Sequence, residues 1–239
     1  MIDLHTHFLH GIDDGAQTLA ESLALARAAV ADGITAAAMT PHIHPGRYNN
    51  QKAQINLHVS AFRAALQQHH IPLQVFSGAE VRLGLESLEH ILAGEVPFLG
   101  RVNGCDILLL ELPHQHIPVG SQQFVQKLLG LNIRPLIAHP ERNKSVMANP
   151  ASIHPFVEAG CWLQLTAGAI TGNFGATSQK TAFTLLDEDC VHVVASDAHN
   201  LSARPPHLRA ARQAVQDRCG ADVAQLLFQT HPARILGLH

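Results

Sequence analysis

The residues best suited to chemistry start in the first apolar run, where His5 and His7 flank Thr6. In a strand, residues i and i+2 project to the same side, so two imidazoles at this spacing can grip one metal ion. Asp13-Asp14-Gly15 follows in the next loop. Farther along, Thr40-Pro41-His42, Gly78-Ala79-Glu80, Leu110-Glu111-Leu112-Pro113, Ala138-His139-Pro140-Glu141-Arg142 and Ser196-Asp197-Ala198-His199 each close an apolar run with a His, Asp or Glu. Taken singly, each has an ordinary explanation: a histidine hydrogen-bonded at a strand end, or Glu111 paired with an arginine. As a set they do not, because several buried carboxylates without partners would cost several kcal/mol each. Divalent cations supply the missing positive charge. The set contains no cysteine, which favours hard or borderline ions such as Mn²⁺, Fe²⁺, Zn²⁺ or Mg²⁺.

The elements that must position these residues are legible as seven short apolar runs, at residues 2–5, 34–40, 73–77, 107–112, 134–138, 162–166 and 192–195. Most are nearly continuous rather than alternating, as expected of parallel strands covered on both faces. Helical patterns lie between them. Thr18-Leu19-Ala20-Glu21 has the form of a capping box, and Leu23, Ala26 and Val30 follow at helical spacing until Gly33. Residues 55–68, 121–131, 150–159, 178–187 and 206–218 repeat the pattern. Alternation of strand and helix predicts an α/β fold, and seven repeats predict one domain over residues 1–239 built as a (β/α)7 barrel. In such folds, functional residues sit where strands end. Six of the seven strands deliver a His, Asp or Glu to that end; the sixth, ending in Thr166-Ala167-Gly168, offers no evident ligand.

Composition narrows the function classes. The chain has 239 residues, 46% hydrophobic and 15% charged, with a net charge of −3. That is an ordinary globular balance, and without a run of Lys or Arg it gives no footprint for nucleic acid. No stretch offers the ~20 apolar residues that span a bilayer, and no basic-then-apolar leader opens the sequence. Cys105, Cys161, Cys190 and Cys219 form no CxxC, so a reduced, cytoplasmic protein with cysteines as buried fillers is expected. A thiolate phosphatase, which needs an arginine six positions after its cysteine, is excluded: those positions hold Glu111, Ala167, Ser196 and Gln225. Of the remaining histidines, His58, His69, His70 and His90 fall on helices and are expected at the surface. His154, His192, His207 and His231 lack clustered partners. His10, His44, His114 and His116 lie in loops near the strand ends.

The motifs, in this order, resemble the PHP (polymerase and histidinol phosphatase) superfamily, whose members are distorted (β/α)7 barrels with three metals. Ile2-Asp3-Leu4-His5-Thr6-His7 with Gly11-Ile12-Asp13-Asp14-Gly15-Ala16 is similar to its CpsB/YwqE branch, as are Ala31-Asp32-Gly33-Ile34-Thr35 and His231-Pro232-Ala233-Arg234-Ile235-Leu236. The branch comprises manganese-dependent protein-tyrosine phosphatases linked to capsule and exopolysaccharide synthesis. The resemblance implies a first metal on His5, His7, Glu80 and Asp197, a second on Glu111, His139 and a shared Glu80, and a third on Asp14, His42 and His199. Asp13 is the alternative to Asp14, which spacing alone leaves open, and His44 is a competitor in the loop after His42.

The implied chemistry is hydrolysis of a phosphate monoester. Four ligand carboxylates would offset about four of the six charges of three divalent ions, leaving a cationic site suited to a phosphate dianion. A water bridging two metals would be acidified and aligned for in-line attack on phosphorus. Arg142 and Arg204 follow the fifth and seventh strand motifs and are expected to grip phosphate oxygens with their planar forks. The expected substrate is the phosphotyrosine tail of a bacterial tyrosine kinase. A histidinol-phosphate phosphatase is the nearest alternative; a nuclease would want a basic stripe, and a catalytically dead scaffold would have lost ligands.

Overall fold

The computed structural model describes residues 1–238. Among these residues eleven strands and eleven α-helices follow one another, with several strands and several helices adjacent in sequence. The strands are β1 (Ile2–Thr6), β2 (Ala36–Met39), β3 (His42–His44), β4 (Tyr48–Asn49), β5 (Gln74–Ser77), β6 (Glu80–Arg82), β7 (Gly100–Val102), β8 (Cys105–Glu111), β9 (Ile133–Ala138), β10 (Trp162–Thr166) and β11 (Val193–Ala195). The principal helices are α1 (Leu19–Asp32), α2 (Lys52–Gln68), α3 (Leu85–Leu92) and α4 (Ser121–Gly130). They are followed by the short α5 (Lys144–Ala148), α6 (His154–Ala159) and α7 (Ala167–Ile170), then α8 (Ala176–Asp187), α9 (Arg209–Cys219), α10 (Ala221–Gln225) and α11 (His231–Leu236).

The strands form a distorted seven-position barrel. β1 pairs in parallel with β2 and β2 with β5, while β3, β6, β8, β9, β10 and β11 pair in parallel in that order. Two strand positions are broken: β2 resumes as β3 past Thr40-Pro41, and β5 resumes as β6 past Gly78-Ala79. Across each break a backbone bond keeps the neighbours together, Gly78 N to Met39 O at 3.0 Å and Glu80 N to Pro41 O at 3.1 Å. An isolated parallel bridge, Thr6 with Ala198, joins β1 to the segment after β11 and brings the ring back on itself. The strand breaks distort the barrel at its ligand-bearing rim, turning His42 and Glu80 into strand-start positions opposite one another.

Both strand faces are covered. Ala37, Met39, Leu108, Leu110, Leu163 and Leu165 pack with Leu23, Ala26, Phe62, Leu66, Phe156 and Leu185 of the helices. The alternate residues Ala36, Ala38, Ile107, Leu109, Leu136 and Val193 form a second cluster with Leu99 and Ile235. This is why the strands read as continuous apolar runs.

Local chemistry sets the helix ends. Thr18 Oγ1 accepts from Glu21 N at 3.3 Å, while Glu21 Oε2 accepts from Gln17 N at 2.7 Å. Gly33 ends α1 in the left-handed region at φ 94°, a conformation glycine adopts without Cβ penalty. Two expected helices differ. The span 150–159 divides into a 3₁₀ turn, Pro150–Ile153, and α6, because Pro155 has no N–H to continue the ladder. The last long helix starts at Arg209 rather than 206: Asp32 Oδ2 accepts from Leu208 N at 2.6 Å and Arg209 N at 2.9 Å and fixes its first turn there. The cysteines are not uniformly buried; only Cys161 is, and the other three are half-exposed.

Candidate metal centre

The site grows from β1. His5 Nδ1 is 2.9 Å from Gln164 Oε1 and His7 Nδ1 is 2.7 Å from Asp13 Oδ2, so both rings turn Nε2 toward the same space. The two Nε2 atoms stand 3.2 Å apart. Glu80 Oε2 lies 3.2 and 3.4 Å from them, and Asp197 Oδ1 also lies 3.2 and 3.4 Å from them. A tetrahedron of ligands at about 2.0–2.1 Å from an ion has edges of about 3.3–3.4 Å. All four side chains are buried. Although close to imidazole nitrogens, Glu80 Oε2 and Asp197 Oδ1 have no hydrogen-bond partner: the donor atoms converge on a common centre instead of aiming at each other. Orphaned buried carboxylate oxygens are costly, and a cation at that centre removes the cost. The residues therefore fit a divalent metal.

Two further groups surround the first. Asp14 Oδ1 is 3.2 Å from His42 Nε2 and 3.4 Å from His199 Nε2, and His7 adjoins them. His199 Nε2 is itself buried without a partner. On the other side, Glu80 Oε1 is 2.8 Å from His139 Nε2, so the two oxygens of Glu80 face different histidines. Glu111 lies near His42 and Glu80, with its Oε1 2.9 Å from Arg82 Nη1. The arginine pairing weighed from sequence is thus present, and Glu111 still borders the cluster.

Asp13 and Asp14 separate cleanly. Asp13 is buried, accepts from Gly15 N at 2.9 Å and from His42 N at 3.1 Å, and holds the back of His7. Asp14 is 40% exposed and faces His42 and His199. Gly15 makes this loop possible: a Cβ there would sit 2.1 Å from His7 O. Backbone bonds stitch the rim, with Asp197 N donating to His5 O and His7 N to Ala198 O, both at 2.9 Å. His139 and Asp197 both have positive φ, 36° and 54°. Non-glycine residues held there are strained, and such strain concentrates at functional sites.

Charge is balanced internally. Burial opposes ionisation of Glu80, yet His5 and His42 hold its carboxyl well below the usual range. Asp197 is likewise buried and held low by His5, Arg204 and Arg142. Burial works against a charge on His42, but Glu80 and Asp14 raise it to about 10. His139 goes the other way, to about 3, through burial and the Arg142 charge. His199 falls to about 4 through burial and the charge on His7. The carboxylates thus demand positive charge, and protonated imidazoles supply it where no ion is bound.

Arg142 and Arg204 both donate to Asp197 Oδ2. They are not surface ion pairs: Asp197 is buried and both guanidinium groups line the cleft above the cluster. The cleft, about 380 Å³, is also lined by His44, Arg47, Tyr48, Arg82, His114 and His116. Glu141 turns inward instead, accepting from Thr166 N at 2.8 Å, and burial lifts its carboxyl to about 7. Three features escaped the sequence reading. Gln164, on the strand without a ligand, orients His5; an inward polar residue in the run Trp162–Thr166 was the available signal. Arg82 meets Glu111 only because β6 and β8 are neighbours. His154, expected to stand alone, is 2.9 Å from Glu188 and close to Cys190.

Comparison with known proteins adds an independent line. A family model described as capsular polysaccharide synthesis, CpsB/CapC, matches residues 1–237. The chain is 34% identical over 229 residues to the tyrosine-protein phosphatase YwqE of Bacillus subtilis, covering 96% of this chain and 89% of that one. It superposes with a TM-score of 0.92 and 32% identity on a solved structure from work on YwqE of Bacillus subtilis and CpsB of Streptococcus pneumoniae, called unique metal-dependent tyrosine phosphatases. The match covers 99% of this chain and 94% of that one. A histidinol phosphate phosphatase from Lactococcus lactis shares the fold at a TM-score of 0.58 but only 12% identity, over 95% and 96% of the two chains.

Proposed function

Because the chain belongs to the CpsB/CapC family of capsular polysaccharide synthesis proteins, we propose that it is a metal-dependent protein-tyrosine phosphatase. The observation that carries this reading is the convergence of His5, His7, Glu80 and Asp197, with two orphaned carboxylate oxygens, beneath a cleft that presents arginines. It acts as one domain over residues 1–239, in the cytoplasm, on the phosphotyrosine tail of a bacterial tyrosine kinase that serves capsule or exopolysaccharide synthesis. Among the described residues no helix is long and apolar enough to cross a membrane.

Three divalent ions, Mn²⁺ foremost, would be held by His5, His7, Glu80 and Asp197; by Glu80, Glu111 and His139; and by Asp14, His42 and His199. Bound there, they supply Lewis acidity toward the phosphoryl oxygens and toward the attacking water. The chain's own residues do the rest. Gln164 and Asp13 fix the rings of His5 and His7 by their outer nitrogens, which sets tautomer and aim. Arg142 and Arg204, anchored on Asp197 Oδ2, present further N–H groups to a phosphate in the cleft. Water adds to phosphorus, the P–O bond to the tyrosyl oxygen breaks, and the products are tyrosine and inorganic phosphate. The leaving phenol has a pKa near ~10, so it needs less proton donation than an alkyl alcohol would.

The test is comparative. Metal content of the purified protein is measured, and turnover of a phosphotyrosine peptide, histidinol phosphate and single-stranded DNA is compared with and without Mn²⁺. Preference for the peptide is expected. Preference for histidinol phosphate would replace the substrate assignment, and full activity after metal stripping would overturn the mechanism.

A further inference from the structure

The cleft over the metal cluster contains four arginines, and three of them are committed. Arg82 holds Glu111, and Arg142 and Arg204 hold Asp197. The fourth, Arg47, has no carboxylate within 4.0 Å among the described residues, although it lines the same cleft. It sits at the turn between β3 and β4 and is largely exposed. Its position is nonetheless fixed: Cζ lies 4.9 Å from the centre of the Tyr48 ring. Tyr48 in turn stacks on His42, with centroids 5.5 Å apart and ring planes 11° from parallel. A guanidinium, a phenol and an imidazole thus form a stack that leads from the mouth of the cleft to the metal cluster.

That stack gives Arg47 a reach. Its charge stands at most about 10 Å from the His42 ring, the sum of the two spacings. A phosphotyrosine side chain spans a comparable length, and each further residue adds at most about 3.3–3.6 Å. With the phosphoryl group at the cluster, a residue next to the phosphotyrosine comes within reach of Arg47. A cation held over an aromatic face loses less freedom on binding than a free side chain does, and an unpaired cation at a cleft mouth attracts anions.

We propose that Arg47, seated on Tyr48, is an anion subsite that reads an acidic residue flanking the phosphotyrosine, so that the preferred substrates are acidic phosphotyrosine peptides. This rests on the phosphotyrosine reading above, and Arg47 acts on substrate selection, not on the bond that breaks.

Three phosphotyrosine peptides, identical except for Glu, Gln or Lys on both sides of the phosphotyrosine, test it with the Mn²⁺-loaded protein. The ratio of kcat/KM between the Glu and Lys peptides is expected to be about 5–10, carried by KM, which is the scale of an exposed to partly screened ion pair. Arg47→Ala brings the ratio to about 1–2 and Arg47→Glu inverts it. A ratio near one in the parent protein, or one that survives both substitutions, overturns the subsite while leaving the phosphotyrosine assignment intact. Hydrolysis of histidinol phosphate with none of the three peptides cleaved would overturn both.

Discussion

Arg142 donates to Asp197 through Oδ2, the oxygen that faces away from the histidines, while Oδ1 of the same carboxylate points at the Nε2 atoms of His5 and His7. Arg204 meets the same Oδ2. One carboxylate therefore joins the cluster of histidines and carboxylates to the arginine-lined side of the cleft. Arg142→Lys keeps the charge but removes the planar fork. Groups that orient a metal ligand are worth about 10–100-fold in affinity or activity, so a fall of that size in kcat/KM toward a phosphotyrosine peptide is expected. Steady-state kinetics alongside metal titration checks it; a change below threefold would mean that the Asp197 contact is only structural.

Asp13 and Asp14 should part company under mutation. Asp14 faces His42 and His199, so Asp14→Asn is expected to lower the number of bound ions by about one per chain. Asp13 stands behind His7, so Asp13→Asn keeps the stoichiometry and weakens metal affinity by about 10–100-fold. Elemental analysis after equilibrium dialysis separates the two outcomes.

Metal uptake should release protons. His42, opposed by burial but raised to about 10 by Glu80 and Asp14, is protonated at neutral pH without metal, and ligands must be deprotonated to bind. Apparent affinity therefore rises with pH. Calorimetric titrations in buffers of different ionisation enthalpy would show at least one proton leaving per chain; buffer-independent heats would contradict this.

A second pH effect arises away from the metal cluster. His192 stacks on Trp162 at 5.3 Å, and burial, reinforced by His231 and Arg134, lowers it to about 4. The unfolded chain binds a proton near pH ~6.5 and the folded chain does not until about pH 4. Stability from this residue is therefore fully present above pH ~6.5 and lost as pH falls toward ~4. Between pH 7 and pH 5 the loss is about 2 kcal/mol, and His192→Phe should flatten it. Denaturant unfolding of both proteins at pH 7 and pH 5 would show the difference.

How much of this was legible in the sequence follows from how far apart the determining groups lie. His5 and His7 as neighbours on one side of β1, the Thr18 cap, the Gly33 stop and the two-sided burial of the strands all follow from repeat distances of a few residues. A resemblance in motif order then supplied the expected ligand sets. Adjacent aspartates cannot be told apart that way, because the turn of one backbone segment over Gly15 decides which carboxylate faces the cluster.

The sequence by itself determined the alternation of strand and helix, the rim on which His, Asp and Glu collect, and the exclusion of a cysteine nucleophile. These depend on backbone periodicity and residue type, which act locally. The tertiary structure alone decided that Gln164 steadies His5, that Arg82 meets Glu111, that two arginines share one oxygen of Asp197, and that Arg47 has no carboxylate partner among the described residues at the cleft mouth. The first three depend on which distant parts of the chain the barrel brings together, as β6 beside β8 brings Arg82 to Glu111, and the last on what the folded cleft places near the β3–β4 turn; both are chosen by the packing of the whole barrel.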